Sequence, residues 1–259
     1  MRQHLSDLWW FGLKQAWACL FGALLLGLIL ASHLFWPDAA PLARYDFLFL
    51  SALVIQVLML AFRLETWDEA KVIFIFHVVG TAMEVFKTHM GSWVYPEDSF
   101  FRIGGVPLFS GFMYASVGSY FARVWRLFDF RFSHYPPPWS PFVLAAAIYV
   151  NFFTHHYVWD LRWLLFAVTG IMYARCRIYF TPNGRRHSMP VLLALFLGAF
   201  FIWLAENMAT FGKIWLYPNQ HAGWQLVSLS KLGSWFLLMI ISGVLVTIVQ
   251  KPRLEPRDP

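Results

Sequence analysis

Charged residues are scarce in this chain of 259 residues. Asp, Glu, Lys and Arg together make up 13% of it, whereas 59% is hydrophobic and 20% is aromatic. Soluble domains carry about a quarter of charged residues, and a soluble protein of this length could not bury so much apolar surface. The shortage of charge therefore excludes a soluble globular domain. It predicts an integral membrane protein that has the lipid bilayer as a partner.

Other absences exclude further classes of function. The two cysteines, Cys19 and Cys176, lack the spacing of a metal site, and nothing implies a disulfide. No basic tract accompanies the net charge of +6, so we predict no nucleic-acid partner. Neither a Gly-x-Ser-x-Gly elbow nor a Gly-Lys-Ser/Thr phosphate loop is present. No small-residue cleavage site follows the first apolar run, which we interpret as a retained helix.

Long apolar segments recur along the whole chain. They predict an all-α fold, a polytopic membrane bundle of about eight transmembrane helices in a single domain over residues 1–259. Gly104 and Gly105 predict a turn before the fourth segment. The predicted segments lie at about 16–35, 47–63, 72–88, 106–124, 141–158, 161–178, 190–211 and 225–249.

A 13-residue phrase occurs twice, as EVFKTHMGSWVYP at 84–96 and as ENMATFGKIWLYP at 206–218. At the single offset of 122 residues, five positions are identical. They are Glu84, Thr88, Trp93, Tyr95 and Pro96, which coincide with Glu206, Thr210, Trp215, Tyr217 and Pro218. We interpret the phrase as the trace of a duplication into two parallel four-helix repeats, at about 10–130 and 131–250.

The basic residues predict an orientation. With a cytoplasmic N-terminus, 14 of the 20 Lys and Arg residues fall on the cytoplasmic side and six on the other. This bias follows the positive-inside rule. We therefore predict a multi-pass protein of the bacterial inner (plasma) membrane with both termini in the cytoplasm, and with both copies of the phrase at the outer face.

Polar side chains collect toward that outer face. Along the third segment, His77, Thr81 and Glu84 follow at spacings of four and three, which places them on one helical face. Ionisable residues inside membrane helices usually face a cavity or a partner. The sequence therefore predicts a polar cavity in the outer half of the bundle. Its side chains include His77, Glu84, Tyr114, His155, Glu206 and Asn207.

The paired glutamates are the predicted catalytic residues. We predict that Glu84 or Glu206 is an acid, and that the other carboxylate or His155 is the base. Aromatic faces stabilise cationic intermediates and stack on ring and polyene systems. The predicted substrate-binding residues are Trp93, Tyr95, Trp215, Tyr217, Tyr114, His77 and Asn207.

Structural roles are open for the same residues. Each glutamate lies near a helix end, where Glu84 can pair with Lys87 and Glu206 with Lys213. The two Trp-x-Tyr-Pro ends are typical of an interfacial aromatic belt. His77, on an apolar face, is typical of a hydrogen-bonded packing residue.

Metal chemistry has little support. The His155–His156 pair is a combination that iron or zinc sites use. Membrane enzymes of that kind need several histidine boxes, and this chain has one bare pair. We predict no metal site, and the sequence leaves the cofactor and the oligomeric state unknown.

The run EVFKTHMGSWVYPEDSFFRIGGVPLFSGFMYASVGSYF resembles an uncharacterised family of bacterial integral membrane proteins, known only as a domain of unknown function. More distantly, the pattern is similar to carotenoid-modifying membrane proteins, the heterodimer-type lycopene cyclases and bacterioruberin-type hydratases. The matching positions are Glu84, Gly91, Trp93, Tyr95, Gly105 and Pro107, and, in the second copy, Glu206, Trp215 and Tyr217. That copy has Lys213 in place of Gly91, and the Pro-x-Glu-Glu motif of the cyclases is missing. The resemblance implies duplicated helical bundles with glutamates at helix ends.

Three classes of function remain open. The first is a membrane enzyme that acts on a hydrophobic isoprenoid or carotenoid-like lipid, with a buried carboxyl group as the acid, since burial raises the pKa of a carboxyl group. The second is a transporter of small solutes, because two parallel repeats around a polar cavity are also a transporter pattern. The third is a membrane protein without catalysis.

Overall fold

The computed structural model describes residues 2–37 and 39–255. Within these residues the chain is mostly helical. The helices are α1 (Arg2–Ala18), α2 (Leu20–Phe35), α3 (Arg44–Ala61), α4 (Trp67–His89), α5 (Phe109–Phe128), α6 (Ser140–Thr154), α7 (Arg162–Tyr173), α8 (Val191–Phe211) and α9 (Leu229–Val249). Each of the eight predicted segments overlaps one of the helices α2 to α9, and α1 is an additional helix before them.

The prediction of an all-α fold needs a correction, because short strands connect several helices. They are β1 (Arg102–Ile103), β2 (Val106–Pro107), β3 (Arg131–Ser133), β4 (Arg177–Phe180), β5 (His187–Pro190) and β6 (Arg253–Leu254). The predicted turn at Gly104 and Gly105 is confirmed. It joins β1 to β2 with positive φ values of 56° and 82°, as a two-residue hairpin requires.

Three of the described helices, α3, α8 and α9, are long and apolar enough to cross a membrane. The apolar pair formed by α1 and α2, which is broken at Cys19, raises the number to four if it counts as one span. Of the others, α4 carries five charged residues, and α6 and α7 have only 15 and 12 residues. Length and composition alone therefore support fewer spans than the predicted eight.

The chain divides into two compact units. The first comprises Met1–Cys19, Phe121–Phe201 and Ser230–Pro259. It contains a four-stranded sheet in the order β5-β4-β3-β6, in which only the β3–β6 pair is parallel. The core of this unit is apolar, and Leu144, Ile148, Leu165, Ile240 and Val244 are among its buried side chains.

The second unit comprises Leu20–Tyr120 and Ile202–Leu229. Its longest helix, α4, begins at a capping box in which Thr66 and Glu69 bond each other's backbone N–H groups. A Cβ atom added to Gly80 of α4 would lie 2.5 Å from the Tyr114 ring of α5. The glycine therefore lets the tyrosine pack directly on the helix. Both copies of the repeated phrase belong to this unit.

Candidate functional site

Glu84 is a buried carboxyl group near the end of α4, with 3% of its surface exposed. Its Oε2 atom accepts hydrogen bonds from Trp93 Nε1 and from the Tyr95 hydroxyl, both at 2.7 Å. The hydroxyl of Tyr114, on α5, donates to Oε1 at 2.8 Å. Three aromatic side chains from two segments thus hold one carboxyl group inside the protein.

A tight turn after α4 brings Trp93 and Tyr95 back to Glu84. The N–H of Ser92 bonds the carbonyl of Lys87, and Gly91 adopts a left-handed conformation with φ 70°. This is the usual glycine C-cap, in which the chain reverses over the last helical turn. Because the chain reverses, a tyrosine 11 residues after the glutamate can donate to its carboxyl group.

The second copy makes the same turn without glycine. The N–H of Ile214 bonds the carbonyl of Ala209, and Lys213 takes the left-handed conformation with φ 54°. Ile214, Ala209 and Lys213 lie 122 residues after Ser92, Lys87 and Gly91. The difference between Gly91 and Lys213 in the two phrases therefore leaves the backbone path unchanged.

Glu206 of α8 is the second buried carboxyl group, with 4% of its surface exposed. The hydroxyl of Tyr217, 11 residues later, donates to its Oε1 atom at 2.5 Å. This distance is at the short end of the range for O–H···O hydrogen bonds. The Glu206–Tyr217 pair therefore repeats the Glu84–Tyr95 pair at the same sequence spacing.

The two copies meet through their backbones and their aromatic rings. Val94 and Leu216, again 122 residues apart, exchange two backbone hydrogen bonds of 3.0 and 2.9 Å. Beside them the rings of Trp93 and Tyr217 contact edge to face, with centroids 6.0 Å apart. Trp93 bonds Glu84 and Tyr217 bonds Glu206, so this aromatic pair links the two carboxyl groups.

Burial makes the tyrosines of the site weaker acids than tyrosine in water. It raises the pKa of Tyr95 well above the ordinary value, and the charge of Glu84 adds to the rise. It raises the pKa of Tyr217 in the same way, with further contributions first from Glu206 and then from Glu84. The two phenols are thus strongly held in the neutral, proton-bearing form.

The other predicted residues of the second copy have structural contacts. Asn207 donates to the carbonyl of Trp203 at 2.8 Å, and its Oδ1 accepts from the N–H of Val227 at 2.8 Å. It therefore fixes the segment before α9. Trp215 is buried, with 8% exposed.

A group of polar contacts that the sequence did not predict lies at the start of α3. Arg44, 5% exposed, forms an ion pair with Glu97 and donates to the carbonyl of Gly212 at 3.1 Å. Tyr45 donates to the carbonyl of Ile214 at 2.8 Å. Asp46 accepts from the N–H groups of Phe100 and Phe101. Three consecutive polar residues, Arg-Tyr-Asp, at the start of an apolar segment were the available signal.

Two buried hydroxyl oxygens of α4, Oγ1 of Thr81 and Oγ1 of Thr88, make no hydrogen bond in the described part of the chain. The His77 ring interacts with the backbone of Gly111, and the Ser110 hydroxyl interacts with Tyr95. The predicted stripe His77–Thr81–Glu84–Thr88 thus lies on α4 with unpartnered atoms on both sides of the glutamate.

His155 belongs to the first unit. It follows α6, and its Nδ1 lies 3.0 Å from the carbonyl oxygen of Asn151. Asn151 in turn donates to Asp160 at 3.1 Å. Burial raises the pKa of Asp160, but the hydrogen bonds from Asn151 and Arg162 and the charge of Arg162 outweigh it, and the pKa falls below the usual value. These contacts describe a helix end that is tied to the start of α7.

The two lysines that could pair with the glutamates differ in burial. Lys87 is buried, as is Glu84 on the same helix, whereas Lys213 is exposed although Glu206 is buried.

Among residues 2–37 and 39–255, no three or more His, Cys, Asp or Glu side chains come together as a metal site would require.

Similarity to known proteins extends over most of the chain. Residues 7–243 match the family described as protein of unknown function, DUF817. The chain is 44% identical to the uncharacterized protein YoaT of Bacillus subtilis (strain 168). The alignment of 241 residues covers 93% of this chain and 90% of YoaT. No solved structure matches this chain. The resemblance to an uncharacterised family is confirmed, whereas the resemblance to carotenoid-modifying proteins is not. Matched over most of its length, the chain belongs to the DUF817 family.

Proposed function

We propose that this protein is a multi-pass membrane enzyme that uses Glu84 and Glu206 for acid–base chemistry on a hydrophobic lipid of the isoprenoid or carotenoid-like class. The observation that carries the proposal is the pair of buried carboxyl groups, each bonded to the tyrosine of its own Trp-x-Tyr-Pro phrase. Burial removes a carboxyl group from water at a cost that hydrogen bonds only offset, and purely apolar packing would serve stability as well. Two buried carboxyl groups at corresponding positions are best explained by a function.

The hydrogen bonds favour different roles for the two acids. The Trp93 indole N–H can only donate, so Oε2 of Glu84 is an acceptor and any proton on Glu84 must be on Oε1, shared with Tyr114. The aromatic donors therefore favour Glu84 as the carboxylate base. Glu206 is then the acid, because its Oε1 can accept the Tyr217 hydrogen bond while Oε2 carries the proton.

The reaction is a proton transfer at a carbon–carbon double bond. Protonation by Glu206 forms a C–H bond and leaves a carbocation on the substrate. Loss of a proton from a neighbouring carbon to Glu84 restores a double bond, so the substrate is isomerised or cyclised with no net change in composition. The faces of Trp93, Tyr95 and Trp215 would stabilise the cation. Proton exchange with water then restores the acid form of Glu206 and the carboxylate form of Glu84. The reaction needs no oxidant and no second organic substrate.

The eight-span, duplicated architecture is part of the proposal. Adding 122 to the bounds of α2, α3, α4 and α5 gives 142–157, 166–183, 189–211 and 231–250. The corresponding helices α6 to α9 lie at 140–154, 162–173, 191–211 and 229–249. This correspondence supports two parallel four-helix repeats. With the basic residues as counted, both termini are in the cytoplasm and the glutamate site lies toward the outer face of the bacterial inner membrane.

The test is to produce Glu84→Gln and Glu206→Gln in a bacterial host that lacks its own member of the family. Lipid extracts are compared by mass spectrometry with those from the wild type. A lipid that changes with the wild type and not with either variant supports the assignment. Asp98→Asn is the matched control, because Asp98 is an exposed acid in the loop after α4. This variant should behave as the wild type does. Unchanged product in both glutamine variants removes the acid–base roles.

Transport of a small solute is the second candidate. The observation that favours it is the pair of unpartnered hydroxyl groups of Thr81 and Thr88 on α4, since a path for a polar solute needs such groups inside the bundle. Uptake of a solute by vesicles containing the protein, without a change in lipid composition, would favour transport over the enzyme.

A further inference from the structure

One face of the four-stranded sheet in the first unit is lined by arginines. Phe132 of β3 and Ile178 of β4 are buried in the apolar core of that unit. Successive side chains of a strand point to opposite faces, so the neighbouring Arg131 and Arg177 lie on the other face. The register places Arg253 of β6 directly opposite Arg131. Three adjacent strands therefore each place an arginine on the outer face of the sheet.

A fourth arginine, Arg186, belongs to the same face. Its guanidinium group lies over the ring of Tyr179, with Cζ 4.4 Å from the ring centroid. Tyr179 is the register partner of Arg131, so its ring is on the outer face as well. We call this surface the arginine face, and it consists of Arg131, Arg177, Arg186 and Arg253.

In the described part of the chain, two carboxylates pair with these four arginines. Asp129 forms ion pairs with Arg131 and Arg253. Glu255 forms ion pairs with Arg131 and Arg186. Like charges on directly opposite residues destabilise a sheet, and Arg131 and Arg253 are such a pair. The face therefore keeps a positive charge that an anion lying against it would neutralise.

The chain around the strands is basic as a whole. Residues 126–134, 174–190 and 250–255, which include β3 to β6, hold eight Lys and Arg residues against two Asp and Glu residues. A cluster of basic residues of this size next to an apolar helix is typical of a surface that binds anionic lipid.

The arginine face adjoins the ends of two apolar helices. β5 ends at Pro190 and α8 begins at Val191, while α9 ends at Val249 and β6 begins at Arg253. Both helices are long and apolar enough to cross a membrane. Polar headgroup layers border the hydrocarbon core of a bilayer. Strands that are joined to the ends of spanning helices therefore lie at the level of the headgroups.

Helix α1 favours a lipid over a soluble partner. It is tied to the connection between β4 and β5, where Lys14 Nζ donates to the carbonyl of Thr181 at 3.0 Å. Its Leu8 and Trp9 side chains are both 66% exposed. Exposed leucine and tryptophan on a helix beside basic residues are typical of the membrane interface. An acidic soluble protein would have no use for these apolar side chains.

We propose that the arginine face binds the headgroups of anionic phospholipids. A guanidinium group can donate two parallel hydrogen bonds to one phosphate. Each basic residue near an anionic bilayer contributes about a factor of five in affinity. The lipid phosphates would supply the negative charge that Asp129 and Glu255 leave short. This binding is independent of the acid–base chemistry proposed for Glu84 and Glu206.

The test compares the binding of phosphatidylglycerol and phosphatidylcholine, each with the same pyrene-labelled acyl chain, to the purified full-length protein in a neutral detergent. Energy transfer from tryptophan to pyrene reports the bound lipid. The wild type should bind phosphatidylglycerol about tenfold more tightly, or better. Salt at about 0.5 M should weaken this preference, because it screens exposed charges.

The Arg177→Gln/Arg253→Gln double variant should lose most of the preference and keep its affinity for phosphatidylcholine. Arg177→Gln alone should weaken the preference about fivefold. This single change leaves no carboxylate unpaired, because Arg177 bonds the neutral hydroxyl of Ser188. It therefore keeps the test valid if the double variant does not fold, and an unchanged preference in it contradicts the proposal.

Arg63→Gln/Lys71→Gln is the matched control, because it removes the same charge from two exposed residues around the start of α4. It should keep the preference. An equal loss in this control, or equal affinity of the wild type for the two lipids, overturns the proposal. Displacement of phosphatidylglycerol by inorganic phosphate at constant ionic strength would assign the face to a soluble phosphate ligand and would overturn it too.

Discussion

Val94 and Leu216, which lie 122 residues apart in sequence, exchange a pair of backbone hydrogen bonds. The bridge joins corresponding positions of the two phrases, and Glu84–Tyr95 and Glu206–Tyr217 are the corresponding hydrogen-bonded pairs on its two sides.

Loss of either tyrosine hydroxyl should destabilise the protein. Tyr95→Phe or Tyr217→Phe removes a donor to a buried carboxyl group, and we expect a loss of about 1–3 kcal/mol in the free energy of unfolding. The measurement is thermal unfolding in detergent. Tyr157→Phe, at a side chain that is 70% exposed, is the control and should change little.

The left-handed residue of the second turn predicts a stabilising substitution. Lys213 has φ 54° where its counterpart Gly91 has φ 70°. A non-glycine residue in this conformation costs about 1–2 kcal/mol, so Lys213→Gly should raise the unfolding temperature. Gly91→Ala should lower it. The added methyl group meets nothing within 4 Å, so the cost comes from the backbone alone. A rise in stability for Gly91→Ala would contradict this account.

The close approach of α4 and α5 predicts that Gly80 is needed for the Glu84 site. In Gly80→Ala the new Cβ atom would lie 2.5 Å from the Tyr114 ring, which must move and release its hydrogen bond to Glu84. We expect a loss of stability and a change in tryptophan fluorescence from the neighbouring Trp93. Gly170→Ala in α7 is the control, because its methyl group meets nothing within 4 Å, and it should stabilise slightly.

The raised pKa values of Tyr95 and Tyr217 predict a dependence on alkaline pH. A pKa raised in the folded state gives stability that is fully present below the ordinary tyrosine pKa of 10.0 and is lost as the pH rises beyond it. We expect the ultraviolet tyrosinate signal to show a fraction of tyrosines that ionise only on unfolding. The Tyr95→Phe/Tyr217→Phe double variant should reduce that fraction. An unchanged fraction would show that other tyrosines account for it.

The helices were largely predictable, because helix position depends on local apolar content. Segments such as 190–211 and 72–88 matched α8 and α4 closely. The sixth predicted segment, 161–178, is too long, because α7 ends at Tyr173 and Arg177–Phe180 forms the strand β4. That strand depends on pairing with β3 and β5, and pairing partners distant in sequence leave no local signal.

The candidate site was partly predictable. Glu84, Glu206 and the two tyrosines were found because the phrase repeats. Arg44, Tyr45 and Asp46 were missed, because all but one of their described hydrogen-bonding partners, the Glu97 side chain, are backbone atoms, whose positions depend on the fold.

By itself the sequence determined that the chain is rich in apolar helices and poor in charge, and that one phrase with a glutamate and a tyrosine occurs twice. Those properties follow from composition and from spacing along the chain. Only the tertiary structure decided that each tyrosine bonds its own glutamate and that Trp93 contacts Tyr217. It also decided that the backbones of Val94 and Leu216 bond each other. A hydrogen bond tolerates a change of only a few tenths of an ångström in the donor–acceptor distance. For segments far apart in sequence, only the folded chain sets that distance.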